Sequence, residues 1–193
     1  MDCRWLKEGW SSHLEFFKDG LRIRTDFVAR PPRLSCDELN NLWRTQVTRK
    51  TPVVDLRELA ELKKTNREKD YPIIGELARR MERPEDRFLY SRSVSDLIEL
   101  SERFPEMVAL LSQKRPLLAL LGQGRESIEK ALDAERREFM HRNEERLQKY
   151  IQAASAWRSR WPFLEAQANS LTLSQFHSVM VAEAEKYLPM EML

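Results

Sequence analysis

The first strongly patterned region, residues 13–28, predicts a β-hairpin. Apolar and polar residues alternate on both sides of Asp19-Gly20, a dipeptide that accepts the positive φ angles of a type I′ turn. A two-residue loop fixes the register and places His13 opposite Asp26. The more apolar face is then expected to carry Leu14, Phe16, Leu21, Ile23 and Phe27. We interpret the second strand, which ends near Asp26, as a central strand of a larger sheet.

After Pro31-Pro32, which cannot continue a strand, the apolar spacing becomes helical. Ser35 with Glu38 and Thr172 with Gln175 have the spacing of capping boxes. From Pro84 onward every predicted element is a helix. Cap residues or prolines mark the expected helix starts, at Ser35, Asp55, Pro72, Ser93 or Ser95, Pro116 and Thr172.

The longest predicted helix begins at Arg125 and continues to about Trp161, where Pro162 is expected to interrupt it. At 1.5 Å per residue its length is on the order of 55 Å, so it is expected to pack on other elements. Its charges alternate in sign at helical spacing, which favours ion pairs within the helix over nucleic-acid binding. Trp157 and Trp161 share a face and are expected to pack rather than to stack on bases.

These patterns predict an α+β, mostly helical fold. Residues 1–83 would form a region with the hairpin, part of a larger sheet, and covering helices. Residues 84–193 would form a helical region that includes the long helix. A chain of 193 residues is long enough for one good core, or for a small domain with a helical appendage.

The composition of the chain limits the classes of partner that it is expected to bind. The formal charge is +2, so binding to nucleic acid or to a membrane would depend on local clusters rather than on net charge. Apolar runs fall far short of the about 20 residues that span a bilayer, so no membrane partner is expected. Cys3 and Cys36 lack the spacing of a metal site or a disulfide framework. We expect a soluble cytoplasmic protein, with nucleic-acid binding as a less supported alternative.

Residues 62–77 contain the cluster with the clearest chemistry. Lys63, Lys64, Arg67 and Asp70 lie close together, and the sequence then turns apolar at once. Such grouped cations favour contact with an anion such as phosphate. Two interpretations without function stay open: the cations form an ordinary solvated helix face, and Asp70 caps the next helix.

An ordered set of segments resembles a known family. The strand LRIRTDFV, the segment PPRL, the LWR of residues 42–44 and the run VVDLRELAELKKTNREKDYPII follow one another along the chain. Together, over about residues 10–80, they resemble the second half of bacterial nucleotidyltransferase-like proteins. These are minimal polymerase-β-type relatives that are found with toxin-antitoxin and abortive-infection systems.

The resemblance implies roles for individual residues. Asp26 corresponds to the third metal-binding carboxylate, at a vestigial catalytic position. Lys63 or Lys64 corresponds to the phosphate-binding lysine, and Arg67 with Asp70 to the later element that lies over the nucleotide. From the hairpin alone, Asp26 has a second interpretation, a cross-strand ion pair with His13 and Arg24.

The chain also departs from the family. Nucleotidyltransferases of this kind begin with a Gly-Ser turn and a strand that bears two acidic residues, and neither precedes Asp26. A single strand carboxylate would bind Mg²⁺ poorly, because the ion needs several converging oxygen ligands. We therefore expect an N-terminally truncated or catalytically incomplete member, for which Mg²⁺ matters only if the missing motif is supplied.

Two functions follow from these observations. The first is a nucleotidyltransferase-like protein that still binds the phosphates of an NTP through Lys63, Lys64, Arg67 and Asp70. The alternative is a non-enzymatic helical module, in which the long helix and the Trp-bearing C-terminal helices bind a protein partner such as a cognate toxin or antitoxin. No metal site is predicted in either case.

Overall fold

A computed structural model describes residues 2–28, 34–48, 50 and 53–190. The chain divides into two units: unit 1 comprises residues 1–34 and 145–193, and unit 2 comprises residues 35–144. A mostly helical chain with an N-terminal hairpin confirms the predicted α+β class. The predicted domain boundary between residues 83 and 84 lies inside unit 2.

The elements follow one another along the chain as one short helix, a hairpin, a series of short helices and then three longer helices. In order they are α1 (Cys3–Lys7), β1 (Ser11–Lys18), β2 (Leu21–Val28), α2 (Cys36–Val47), α3 (Leu56–Lys63), α4 (Asp70–Arg79), α5 (Pro84–Tyr90), α6 (Val94–Arg103), α7 (Pro105–Ser112), a 3₁₀ helix (Pro116–Gln123), α8 (Arg125–Ala153), α9 (Ser155–Ala168) and α10 (Leu173–Tyr187). No helix in the described part of the chain is long and apolar enough to cross a bilayer.

The hairpin has the register that the sequence predicts. β1 and β2 are antiparallel, with Lys18 opposite Leu21 and His13 opposite Asp26. The turn has positive φ at Asp19 (53°) and Gly20 (78°), as a type I′ turn requires.

The expectation of a central strand is wrong for the described residues, which form a sheet of β1 and β2 alone. Alternation of apolar and polar residues predicts that a segment is a strand. It carries no information about whether a distant segment supplies a second neighbour. The next described segment, α2, is a helix.

Several helix starts match their predicted caps. The capping boxes at Ser35 and Thr172 are both formed. α3 follows Asp55 as expected, although the Asp55 side chain makes no capping hydrogen bond. The expectation that Asp70 caps a helix beginning after Pro72 is wrong: Lys69 is the N-cap, and Asp70 is the first residue of α4.

The predicted long helix is present and begins at Arg125 as expected, but its predicted end near Trp161 is wrong. α8 ends at Ala153, and Ala154 leaves the helical conformation with ψ at 6°. Pro162 lies inside α9 instead of ending it. A proline within a helix removes one backbone hydrogen bond and does not always stop the helix.

The core of unit 1 is aromatic. Trp5 of α1 and Trp10, the residue before β1, are buried with Ala184 and Leu188. Trp157 packs against this cluster, which confirms that it is a packing residue. The ring of Trp10 meets that of Tyr150 edge to face, with centroids 4.9 Å apart.

Unit 2 has an aliphatic core with a cluster of ion pairs beside it, in which Arg115 is buried and Arg92 and Glu135 are half-buried. The core side chains are Phe88, Val94, Leu97, Leu100, Leu111, Leu117, Leu118, Ile128 and Leu132. Arg115, which is 4% exposed, donates to both oxygens of Glu135 (2.9 and 2.8 Å) and to the carbonyl of Phe88 (2.6 Å). Arg92 also pairs with Glu135, and it donates to the carbonyl of Leu132 (2.9 Å).

The ion cluster shifts the pKa values of Glu135 and Arg92. Burial alone would raise the pKa of Glu135, but the guanidinium groups of Arg115 and Arg92 hold that pKa below its ordinary value. Burial lowers the pKa of Arg92. The cluster links α5 and the 91–93 segment to α8 through charge-assisted hydrogen bonds.

Candidate functional site

The predicted phosphate-binding residues lie in residues 63–70, which we call the basic loop. It connects α3, which ends at Lys63, to α4, which begins at Asp70. The structure therefore brings Lys63, Lys64, Arg67 and Asp70 together in one connection of unit 2.

Asp70 lies at the centre of the basic loop and is 2% exposed. It accepts hydrogen bonds from Thr65 Oγ1 (2.6 Å) and Arg67 Nε (2.9 Å), and Lys63 Nζ lies 3.9 Å from its other oxygen. Burial acts to raise the pKa of Asp70, but the bonds from Thr65 and Arg67 outweigh burial and lower that pKa. Asp70 is thus a carboxylate around which the loop folds.

Lys64 is packed within unit 2. Its Nζ lies 2.6 Å from Glu61 and above the rings of Tyr90 and Phe139, at 4.7 and 5.2 Å from their centroids. Tyr90 donates to the same Glu61 carboxylate (2.7 Å). These contacts differ from the solvated helix face that the sequence allowed for Lys64, and they make its ammonium part of the packing between α3, α5 and α8.

The basic loop is also attached to α8 by residues that the sequence analysis missed. The buried Asn143 donates to the carbonyls of Lys64 (2.8 Å) and Phe139 (2.7 Å). Asn66 donates to Glu144 (3.0 Å), and Arg136 pairs with Glu68 (2.9 Å).

A signal for Asn143 was present in the sequence. Asn143 falls four residues after Phe139 and four before Leu147, both of which belong to the apolar stripe of α8. A polar residue in the middle of such a stripe is expected to be buried with hydrogen-bond partners. Its partner could not be predicted, because the Lys64 carbonyl lies 79 residues away along the chain.

Asp26 belongs to unit 1, unlike the four residues of the basic loop. Its carboxylate accepts from Arg24 Nε (3.0 Å) on the same face of β2, which confirms the predicted contact with a basic side chain. More than half of the Asp26 side chain is exposed, and an exposed pair of this kind contributes about 0 to 1 kcal/mol. Among the described residues, no group of three or more His, Cys, Asp or Glu could hold a metal ion.

The hairpin itself presents two different faces. One carries ion pairs: Arg22 donates to both oxygens of Glu15 (2.9 and 2.8 Å), and this contact lowers the pKa of Glu15. The other, which we call the apolar hairpin face, carries Leu14, Phe16, Leu21, Ile23 and Phe27, together with Ser12, Lys18 and Thr25. On it Leu21 is 69% exposed and Phe27 is 46% exposed.

One edge of β2 offers unpaired backbone groups. When a two-residue turn closes a hairpin, the pair next to the turn is hydrogen-bonded, and bonded and non-bonded pairs then alternate. The non-bonded residues of β2 are Arg22, Arg24, Asp26 and Val28. Their N–H and C=O groups point away from β1, and no described strand pairs with them. We call this row the outer edge of β2.

The described residues therefore form two candidate sites, one in each unit. The basic loop has cations that are already paired with carboxylates, and the hairpin has an exposed apolar face with an open edge. No protein-family model matches the chain, and neither a curated protein nor a solved structure matches it.

Proposed function

We propose that this chain is a cytoplasmic, non-enzymatic protein-interaction module that receives an extended segment of a partner protein along the outer edge of β2. One observation carries the proposal: the exposed side chains of the apolar hairpin face belong to the same strands as the open edge. Such an edge is a template for another strand.

Strand addition suits the physical properties of the hairpin. A two-stranded hairpin alone is marginally stable in water, and a third strand with apolar side chains adds both hydrogen bonds and buried area. The backbone of the outer edge would supply the hydrogen bonds. The apolar hairpin face would supply pockets for alternate side chains of the added strand.

The hairpin is a better candidate for the interaction surface than the tryptophans of the C-terminal helices. Trp157 packs against the core cluster of unit 1, so part of its surface is already used. The cysteines support the proposed compartment, because Cys3 and Cys36 are free and exposed, as is usual under reducing conditions.

A peptide selection tests the proposal. We expect the full chain to select extended peptides of about eight residues, a common strand length, from a random displayed library. Their apolar residues should alternate with polar ones. Arg24→Pro should abolish binding, because proline removes an outward N–H of β2 without touching the β1–β2 hydrogen bonds.

Glu15→Pro is the matched control, since it removes an outward N–H from β1 instead. Each variant deletes one partner of an exposed hairpin ion pair, so their electrostatic costs are similar. Equal loss of peptide binding in both variants, or none in either, would contradict addition at β2.

A second candidate function is nucleotidyltransferase-like binding of NTP phosphates at the basic loop. One observation favours it: Lys63 and Arg67 share a single buried carboxylate, Asp70, and about half of the Arg67 side chain is exposed. Their remaining N–H donors could bind a phosphate by charge-assisted hydrogen bonds. Mg²⁺ and catalysis would require further carboxylates from elsewhere.

Titration of ATP and GTP into the full chain tests this second candidate. Replacing Lys63 and Arg67 by Gln should weaken binding by about 1 to 3 kcal/mol, the range for hydrogen bonds to charged groups. Lys64 is left intact because it is packed against aromatic rings. Lys69→Gln, at an exposed residue of the same loop, is the control. Absence of binding by the wild type, or equal binding by the double variant, would remove the phosphate site.

A further inference from the structure

We propose that the strand received by the outer edge of β2 is β2 of a second copy of this chain, antiparallel to the first, with the two-fold axis at Thr25. This inference rests on the proposed function, because it names the partner that strand addition brings. The product is a continuous four-stranded sheet in the order β1-β2-β2-β1. Such a contact is isologous, so each residue pair off the axis occurs twice.

The backbone of β2 permits this register. Hydrogen bonds form between two added strands where outward-pointing residues lie opposite one another. An axis at Thr25 places Arg24 opposite Asp26 of the second copy and Arg22 opposite Val28 of the second copy. Every outward-pointing residue of β2 then faces another, and the whole outer edge is used.

Charge selects the same register. An axis at residue 24 sets Arg24 against Arg24 of the second copy, and an axis at residue 23 sets it against Arg22. An axis at residue 26 brings the two Asp26 side chains together. Like charges directly opposite destabilise a sheet, and opposite charges stabilise it. The axis at Thr25 gives two Arg24–Asp26 pairs and no like-charged pair.

In this register the apolar hairpin faces of the two copies also place complementary side chains opposite one another. Ile23 lies opposite Phe27 of the second copy, twice, and the two Thr25 side chains face one another. Aromatic side chains opposite β-branched ones are favourable cross-strand pairs. Phe27 is 46% exposed in the single chain, so it has surface to bury against Ile23.

β2 is a better edge for this contact than β1. Every residue of β2 except Ile23 is exposed, whereas β1 also has half-buried residues at Ser12 and Leu14. In addition, α1 contacts β1. The strand with the more open surface is therefore the one that carries the complementary charges.

Sedimentation equilibrium of the full chain tests the inference. We expect the average mass of the wild type to rise toward that of two chains as its concentration increases. Arg24→Asp and Asp26→Arg should each raise the dimer dissociation constant at least about tenfold, because symmetry turns two favourable pairs into two repulsive ones.

An equimolar mixture of the two single variants is the decisive sample. Across the axis each substituted side chain then meets an opposite charge, so the mixture should dimerise about as well as the wild type. Changes confined to the Arg24–Asp26 pair within one chain cannot produce this rescue. Arg44→Asp, at an exposed residue of α2, controls for net charge and should dimerise like the wild type.

Three results would overturn the inference: a wild type that is monomeric at all concentrations, single variants that dimerise like the wild type, or a mixture without rescue. These failures are distinct from failure of the proposed function. A monomeric chain whose selected peptides still bind, and lose binding in Arg24→Pro, would support strand addition at β2 and contradict pairing between two copies. A monomeric chain that also binds no peptides would contradict both proposals.

Discussion

At the scale of single residues, charges in unit 2 are used to hold the fold together. Glu135 joins the buried Arg115 to the half-buried Arg92, and Asp70 joins Thr65, Arg67 and Lys63. In each case burial alone would raise the pKa of the carboxylate, but hydrogen bonds and nearby cations lower that pKa. The cations that the sequence suggests for phosphate binding thus have structural partners in the same unit.

The Glu135 cluster gives a prediction about stability. Glu135→Gln should lower the free energy of unfolding by about 3 to 5 kcal/mol at pH 7, because it leaves the buried Arg115 and the half-buried Arg92 without their counter-charge. Glu138→Gln on the same helix is the control. Its exposed pair with Arg142 should contribute less than about 1 kcal/mol. Urea unfolding followed by circular dichroism measures both.

The same variant should change the pH dependence. The pKa of Glu135 is lowered in the folded chain, so its contribution is complete above the unfolded pKa of about 4.3 and is lost as pH falls through the folded pKa. The difference between wild type and Glu135→Gln should therefore shrink at acid pH. A difference that stays constant from pH 7 to acid pH would contradict this role for Glu135.

At the scale of elements, structural features that depend on neighbouring residues could be predicted from the sequence, and features that depend on distant residues could not. Asp19-Gly20 and the alternation around it determine the hairpin register within a few residues, and the capping boxes at Ser35 and Thr172 are equally local. The end of α8 at Ala153 has no glycine or proline to mark it. The position of Pro162 therefore suggested the wrong end.

The basic loop likewise has features that could be predicted from the sequence and features that could not. The cluster of Lys63, Lys64, Arg67 and Asp70 could be found from sequence, because its members are neighbours along the chain. Their ion pairs within the loop follow from that closeness. The packing of Lys64 against Phe139 and the bond from Asn143 could not be predicted, since both join segments that are far apart in sequence.

At the scale of the whole molecule, the two units have different kinds of surface chemistry. Unit 2 contains the aliphatic core, the ion cluster and the basic loop. Unit 1 contains the aromatic core and a hairpin whose large apolar side chains are exposed. Exposed apolar side chains on an open strand mark a place where another chain can bind. We therefore propose that the outer edge of β2 receives a strand.

Amide hydrogen exchange of β2 tests that claim most directly, at a protein concentration at which the chain is monomeric. Without a partner, the outward amides of Arg24 and Asp26 should exchange faster than those of Ile23 and Thr25, which are bonded to β1. A saturating selected peptide should slow exchange at Arg24 and Asp26. If both amides keep exchanging fast while the peptide is bound, the strand is not received at β2 and the account is wrong.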